Sequence, residues 1–303
     1  VLQSLAIQTN EHRESLKKNM ENLATLDLIY AKARLAKSMD AVNCPMNLQS
    51  KMQLKEARNP ELTLDGETVI PNSIEWEDST KVVIISGPNT GGKTVTLKTL
   101  GLLSLMVRAG LFLPVEKKSQ IPFFSEIYSD IGDDQNIQLK LSTFSGHLEK
   151  IIRIIDNATS GSLVLLDELG IATDPNEGAA LAESILLELK RKNVMTLVST
   201  HYFSLKILAQ TQEGFLNACT EFNIDTISPT YRLIFGAPGQ SAALDTAERL
   251  GLQRNIIVHA RSLYQAKDKR AENLLEDLTR QRLQMHQDQE KIKKLKAEVE
   301  QLN

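Results

Sequence analysis

Cysteine is nearly missing from this chain: Cys44 and Cys219 are the only two in 303 residues, far apart and without a CxxC spacing or clustered histidines. That excludes a disulfide framework and a cysteine-based zinc site, and it fits a reducing compartment. Long apolar runs are missing too. No stretch reaches the roughly eighteen residues a membrane-spanning helix needs, and the N-terminus lacks the regions of a signal peptide, so the expectation is a cytoplasmic protein with no membrane partner. A dominant charge sign is also absent: the net charge is −3, so nothing provides a global basic field. Contact with nucleic acid would need a local patch or a domain outside these residues. What is present is a 42% hydrophobic composition, enough for one sizeable core with residues left for helical extensions. The chain opens at Val1 inside a helical pattern and without an initiator methionine, which is expected of a piece of a longer protein.

From Leu5 through Leu16, Met20, Leu23, Leu26, Tyr30 and Ala33 the apolar residues fall three or four apart, predicting one long amphipathic helix that stops near Cys44-Pro45. Turns at Asp65-Gly66 and Pro71-Asn72 flank expected small strands at Leu62–Leu64 and Val69–Ile70, which would form a lid on a main sheet. The core begins with Lys81-Val-Val-Ile-Ile-Ser86, a continuous apolar run of the kind buried on both faces of a parallel sheet, and similar runs recur at Leu163–Leu166 and Val194–Val198. Helical patterns at Val95–Val107, His147–Asp156 and Glu177–Arg191 alternate with them, as in doubly wound α/β domains. Phe215–Phe222 and Thr230–Ile234 alternate like antiparallel edge strands. After Gly251 the pattern is helical to the end, and Leu278, Met285, Ile292 and Val299 mark either a coiled-coil seam or a charged, solvated helix. The expected divisions are a helical lever over 1–50, the α/β domain over 51–255, and a C-terminal helix opening a coiled coil over 256–303.

Gly87-Pro-Asn-Thr-Gly-Gly-Lys-Thr94 matches GxxxxGK[ST] directly after a buried strand and before a helix. Glycines there let backbone N–H groups turn inward around phosphate oxygens, and the helix offers its positive end. The expected binding set is Gly87, Pro88, Asn89, Thr90, Gly91, Gly92, Lys93, Thr94 and Val95, with Lys93 on the β- and γ-phosphates and Thr94 on magnesium. Leu163-Val-Leu-Leu-Asp167-Glu168 delivers two adjacent carboxylates to the strand end: Asp167 to hold Mg²⁺ and Glu168 to polarise the attacking water. Without the phosphate loop, such a pair would read as a solvated strand end. His201, after the strand Val194–Val198, stands where it could sense a γ-phosphate. Gln135, in the Gly132–Asn136 loop, could touch magnesium or water, although a polar loop needs no special reason to exist.

The order of phosphate loop, Gln135 loop, Leu141-Ser-Thr-Phe144, Asp167-Glu168 and Thr200-His-Tyr-Phe203 resembles the ATPase domain shared by ABC-type proteins and the MutS family, with MutS the nearer, over roughly Lys51–Arg261. The fold class this implies is α/β, a P-loop NTPase of ABC/MutS type with flanking long helices. The resemblance implies a homodimer that buries ATP and Mg²⁺ between its ATPase domains, each copy lending Ser142 in trans to the other's γ-phosphate. Within the family, Lys93–Leu100, Thr173–Gly178 and Pro229–Leu233 look most like the second, recombination-suppressing branch, whose members carry a C-terminal Smr nuclease domain that these residues lack. The implied function is an ATP-hydrolysing clamp acting on branched or duplex DNA, on stalled ribosomes, or on both, with nuclease activity expected only in a full-length chain. Two positions depart from the pattern: Val69 stands where mismatch-repair members place a phenylalanine near the adenine, and Ala172 replaces a glycine. Other readings are a mismatch-repair MutS ATPase domain, a structural dimer that binds ATP without turnover, and a transporter subunit, against which stands Leu141-Ser-Thr-Phe-Ser-Gly146 with no following Gly-Gln.

Overall fold

A computed structural model describes residues 2–47, 51–132, 140–171, 173–223, 226, 228–239 and 243–263. The chain opens with two helices, α1 (Leu2–Glu11) and α2 (Arg13–Ser38), rather than one, because the backbone leaves helical geometry at His12 (φ −100°, ψ 9°). The stop also comes earlier than the Cys44-Pro45 pair. Asp40 turns left-handed (φ 49°), and the Arg58 guanidinium donates to the Met39 and Asp40 carbonyls at 2.9 and 3.0 Å, so a tertiary contact ends the helix where sequence showed no breaker.

A short β1 (Met46–Asn47) precedes β2 (Met52–Ala57), α3 (Pro60–Leu64) and β3 (Asn72–Trp76). The strands expected at Leu62–Leu64 and Val69–Ile70 do not form. Asn59 caps α3 by accepting from the Leu62 N–H at 3.1 Å, with Pro60 preset for the first helical position, and 67–70 is connecting backbone. The layer over the main sheet is instead the antiparallel β2–β3 pair. Neither strand is legible by strict alternation.

Next come β4 (Val82–Ser86), a 3-10 turn (Asn89–Gly91), α4 (Lys93–Arg108), β5 (Ile121–Pro122), β6 (Glu126–Asp130), α5 (Lys140–Asn157), β7 (Ser162–Leu166), α6 (Pro175–Arg191), β8 (Met195–Ser199), α7 (Phe203–Thr211), β9 (Phe215–Asn223), β10 (Ser228–Phe235) and α8 (Ala243–Arg249), followed by helical backbone over 254–263. The six-stranded sheet runs β10-β9-β4-β8-β7-β6; its pairs are parallel except β9 with β10. Only β10 is therefore an antiparallel edge. β9, expected at the edge, pairs in parallel with β4 and lies inside the sheet.

All five residues of β4, β7 and β8 are buried, as continuous apolar runs require. Alternate residues feed two cores. Val83, Ile85, Leu165 and Leu197 pack with Leu97, Leu100 and Leu103 of α4 and with Leu54, Ile74 and Trp76 of the β2–β3 layer. Val82, Ile84, Val164 and Val198 pack with α5, α6 and α7 through Ile151, Ile185, Leu186 and Leu205. This layering sends β4, β6, β7 and β8 out at one edge by their C-terminal ends, where a parallel sheet places its ligand crevice. Among the described residues, no helix is long and apolar enough to cross a membrane. The segment 264–303, with its heptad pattern, lies outside the described residues.

Candidate functional site

The loop from β4 to α4 is shaped by glycine. Gly87 (φ 135°) and Gly92 (φ 87°) hold left-handed backbone angles, and a Cβ at Gly87 or Gly91 would overlap the Thr220 hydroxyl of β9. Thr220 Oγ1, buried without a hydrogen-bond partner among the described residues, fills the space that a side chain at Gly87 or Gly91 would need. At the start of α4, no side chain caps the helix and no acidic residue occupies its first turn. The first N–H groups and the positive helix end are thereby left facing the crevice.

Lys93, only 3% exposed, folds back over the loop: its Nζ donates to the Gly87 and Pro88 carbonyls at 2.9 and 3.1 Å and lies 3.4 Å from His201 Nε2. Burial pulls its pKa below the ordinary lysine value, while Glu168 and Asp167 oppose that. The Thr94 hydroxyl donates to Asp167 Oδ2 at 2.6 Å. Asp167 Oδ1 accepts from the Ser199 hydroxyl, and the Asp167 N–H donates to the Asp130 carbonyl at 2.9 Å. Glu168, in the left-handed region (φ 55°), donates its N–H to Ser199 Oγ at 2.8 Å, and its Oε1 lies 3.5 Å from His201 Nε2.

His201 Nε2 thus faces an ammonium on one side and a carboxylate on the other. Burial first and then Lys93 lower its pKa, against the pull of Glu168. A neutral ring at neutral pH follows, able to accept from Lys93 or donate to Glu168 according to its tautomer. A phosphate oxygen arriving between these groups would favour the N–H form at Nε2.

The fold therefore brings Lys93, Thr94, Asp167, Glu168 and His201 together from β4, β7 and β8. Pro88 and Thr90 line the loop, and Val95 is exposed on the first turn of α4. The side chain of Asn89 lies outside the described residues, as do Gln135 and Ala172. Ser142 falls in the first turn of α5, inside the helix rather than at its cap, with its side chain likewise outside the description. Val69 sits in the connection between α3 and β3.

The sequence pattern assigns no role to several contributors, although Tyr202 lies within Thr200-His-Tyr-Phe203. Asp130, at the end of β6, is buried and accepts from His147 Nδ1 at 2.7 Å and Lys150 Nζ at 3.3 Å, which moors α5 beside Asp167. The Tyr202 hydroxyl donates to the Gly170 carbonyl at 2.6 Å, and Gly170 and Gly178 approach so closely that a Cβ on either would strike the other's backbone. That contact folds the segment after Glu168 onto α6. Lys206 of α7, also buried, donates to the Gly239 carbonyl at 2.9 Å, and the Gly239 N–H donates to Ser86 Oγ at 2.7 Å, so a loop after β10 is tied beneath the phosphate loop.

The family model described as MutS domain V matches residues 83–267. A protein named endonuclease MutS2 from Finegoldia magna is 42% identical over 299 residues, covering 99% of this chain and 38% of that relative. Its counterpart from Bacillus velezensis is 48% identical over 262 residues, covering 86% of this chain and 33% of the relative. A putative endonuclease MutS2 from Bacillus subtilis is 45% identical over 278 residues, covering 92% and 35%. This chain spans about a third of the length of each. A domain V match that takes in the glycine loop, both carboxylates and His201, together with this similarity to MutS2 proteins, means that the chain belongs to the MutS family.

Proposed function

We propose that this chain is the ATP-binding and ATP-hydrolysing part of a dimeric clamp that acts on DNA. The observation that carries the reading is the meeting, at one sheet edge, of a loop with no room for a side chain at Gly87 or Gly91, Lys93 laid across it, and a Thr94–Asp167 hydrogen bond beside Glu168. The donor set suits magnesium. Thr94 and Asp167 offer hard oxygen atoms, and phosphate and water would complete the shell. Bound magnesium would neutralise charge on the transferred phosphoryl group.

The chain's own groups supply the rest. Loop N–H groups from Gly87 to Thr94 hold phosphate oxygens, Lys93 leaves the loop carbonyls for the β- and γ-phosphates, Glu168 orients the attacking water, and His201 donates to the γ-phosphate and reports its presence. Gln135 completes this set near the water, and Ser142 reaches the partner copy's nucleotide. The 1–50 and 256–303 segments are the arms that move as the 51–255 ATPase domain closes.

Membership in the MutS family removes the transporter reading, and similarity to MutS2 proteins favours their branch over mismatch repair. The relatives are named endonucleases; we assign cutting to parts of the full-length proteins that this chain does not span. The test uses the full-length Glu168→Gln protein loaded with ATP, co-sedimented with branched DNA, mismatched duplex or ribosomes at several salt concentrations. ATP-dependent preference for branched DNA is expected. A preference for ribosomes would move the target to stalled translation, and indifference to nucleotide would sink the clamp.

A further inference from the structure

We propose that Ser199 is a positioning residue for hydrolysis, its single hydroxyl holding both carboxylates of the Asp167-Glu168 pair in working order. The inference rests on the ATPase reading above. Ser199 is the last residue of β8 and is fully buried. A hydroxyl has one proton to donate and lone pairs to accept with. Here the proton goes to Asp167 Oδ1 and a lone pair takes the Glu168 N–H at 2.8 Å. Both partners belong to the site, and both come from the end of the neighbouring strand.

Other buried hydroxyls bond to groups outside the carboxylate pair, Ser86 for example to the Ala218 carbonyl and the Gly239 N–H. Thr196, three residues earlier on β8, donates to the Val194 carbonyl at 3.3 Å, and Ser104 donates to the Leu100 carbonyl of its own helix at 2.8 Å. Ser199 bonds instead to the pair on which the chemistry depends. The consequence for Asp167 is a fixed plane: Thr94 holds Oδ2 at 2.6 Å, Ser199 holds Oδ1, and rotation of the carboxylate would break both bonds.

For Glu168 the consequence lies in the backbone. Its φ of 55° is a conformation that a residue with a Cβ avoids, and it persists only where the surroundings over-determine it. The Ser199 bond to the Glu168 amide is such a constraint. It is this left-handed step that carries the carboxylate toward His201 rather than along the strand direction. Without the hydroxyl, the Glu168 N–H and one Asp167 oxygen each lose a buried partner, and both side chains gain freedom to turn away.

The test compares wild type, Ser199→Ala, Ser199→Thr, which keeps the hydroxyl, and Thr196→Val, which loses a hydroxyl at equal depth in the same strand. ADP affinity is measured with and without magnesium by calorimetry, alongside kcat and KM for ATP. Ser199→Ala is expected to lower kcat and the magnesium-dependent gain in ADP affinity by about 10–100-fold, the range for lost partners of metal-holding groups, with metal-free ADP affinity unchanged. Ser199→Thr should recover most of both, and Thr196→Val should leave both intact even where it lowers the melting temperature. Retention of kcat and of the magnesium gain by Ser199→Ala overturns the proposal, and so does an equal fall in metal-free affinity. Should Ser199→Ala fail to fold, Ser199→Cys, near in size and a weak hydrogen bonder, carries the same comparison with a loss in the same direction. A wild-type chain that binds MgADP but shows no turnover sinks the ATPase reading alone, since the magnesium gain still decides the role of Ser199. Failure to bind nucleotide overturns both.

Discussion

The strands β4, β7 and β8 and the helix α2 both carry repeated apolar residues and meet opposite fates. Every residue of those strands is buried, whereas the 26-residue α2 buries none and leaves Met20, Leu23, Leu26 and Tyr30 between 61% and 72% exposed. A five-residue apolar run is satisfied by strands on either side and a helix above and below, all supplied by this chain. An amphipathic helix names only the face it will bury, and the covering surface has to come from somewhere else. Stability and chemistry should therefore concentrate in the sheet and at its edge, and α2 should tolerate change.

The largest effect should come from the edge itself. Glu168→Gln should lower ATP turnover by about 10²–10⁴-fold, the usual worth of a positioned general base, while equilibrium ATP binding persists. Leu23→Ala on α2 should leave turnover alone; phosphate release by the two variants, side by side, checks the contrast. A comparable loss from both would mean that α2 is part of the working site.

Next in size is the core. Leu165→Ala, at a position 1% exposed against Gly101 of α4, should cost about 2–5 kcal/mol, and Leu23→Ala should stay within about 0.5 kcal/mol. Equal shifts of the urea midpoint would erase the distinction between the regions. A smaller change sharpens it at the upper layer: the Asn72 side chain donates to the Tyr231 carbonyl at 2.8 Å and accepts from the Leu233 N–H at 2.7 Å, linking β3 to β10. Asn72→Ala should cost about 0.5–1.5 kcal/mol, because water can reach the freed backbone groups, and hydrogen exchange at Leu233 should report it locally.

Smaller still is a pH effect. Because the folded protein holds the His201 pKa below its ordinary value of about 6.5, the unfolded chain binds more protons near and below that pH. The resulting penalty is absent well above 6.5 and grows as pH falls through it. His201→Asn should therefore flatten the acid-side decline in melting temperature; an unchanged decline would move its origin elsewhere. The smallest effect concerns the thiols. Burial pushes Cys44 and Cys219 up to about 11, so alkylation at pH 8 should be slow in the folded chain and accelerate in urea.

Much of the sheet was legible because its strands are apolar runs that admit few other structures. The helices α4, α5 and α6 lie within a few residues of their expected spans, apart from the extension of α5 back to Lys140. β2 and β3 were not legible. Glu56, in the left-handed region (φ 48°) where the register shifts, breaks the apolar alternation in one, and the other begins inside the Pro71-Asn72 turn signal. α3 stands where Leu62, Thr63 and Leu64 favour a strand, because the Asn59-Pro60 cap outweighs them. At the site, the residues that touch a phosphate or a metal fall in motifs, since their chemistry demands particular side chains at particular spacings. The residues that aim them, Ser199, Asp130, Lys206 and Thr220, are ordinary polar residues in sequence, and Tyr202, though inside a motif, shows nothing there of its bond to Gly170.

By itself, then, the amino-acid order determined that the continuous apolar runs become inner strands, where the glycine loop sits between strand and helix, and which carboxylates end a strand. Only the tertiary structure decided that β9 runs parallel inside the sheet, that α2 ends under Arg58, and that one serine hydroxyl serves two carboxylates. The reason is physical. Burial, helix periodicity and glycine's freedom at positive φ act within a few residues of each other, so they leave a local record. A hydrogen bond between residues 31 positions apart, such as Glu168 to Ser199, depends on strand order and register, which no local pattern encodes.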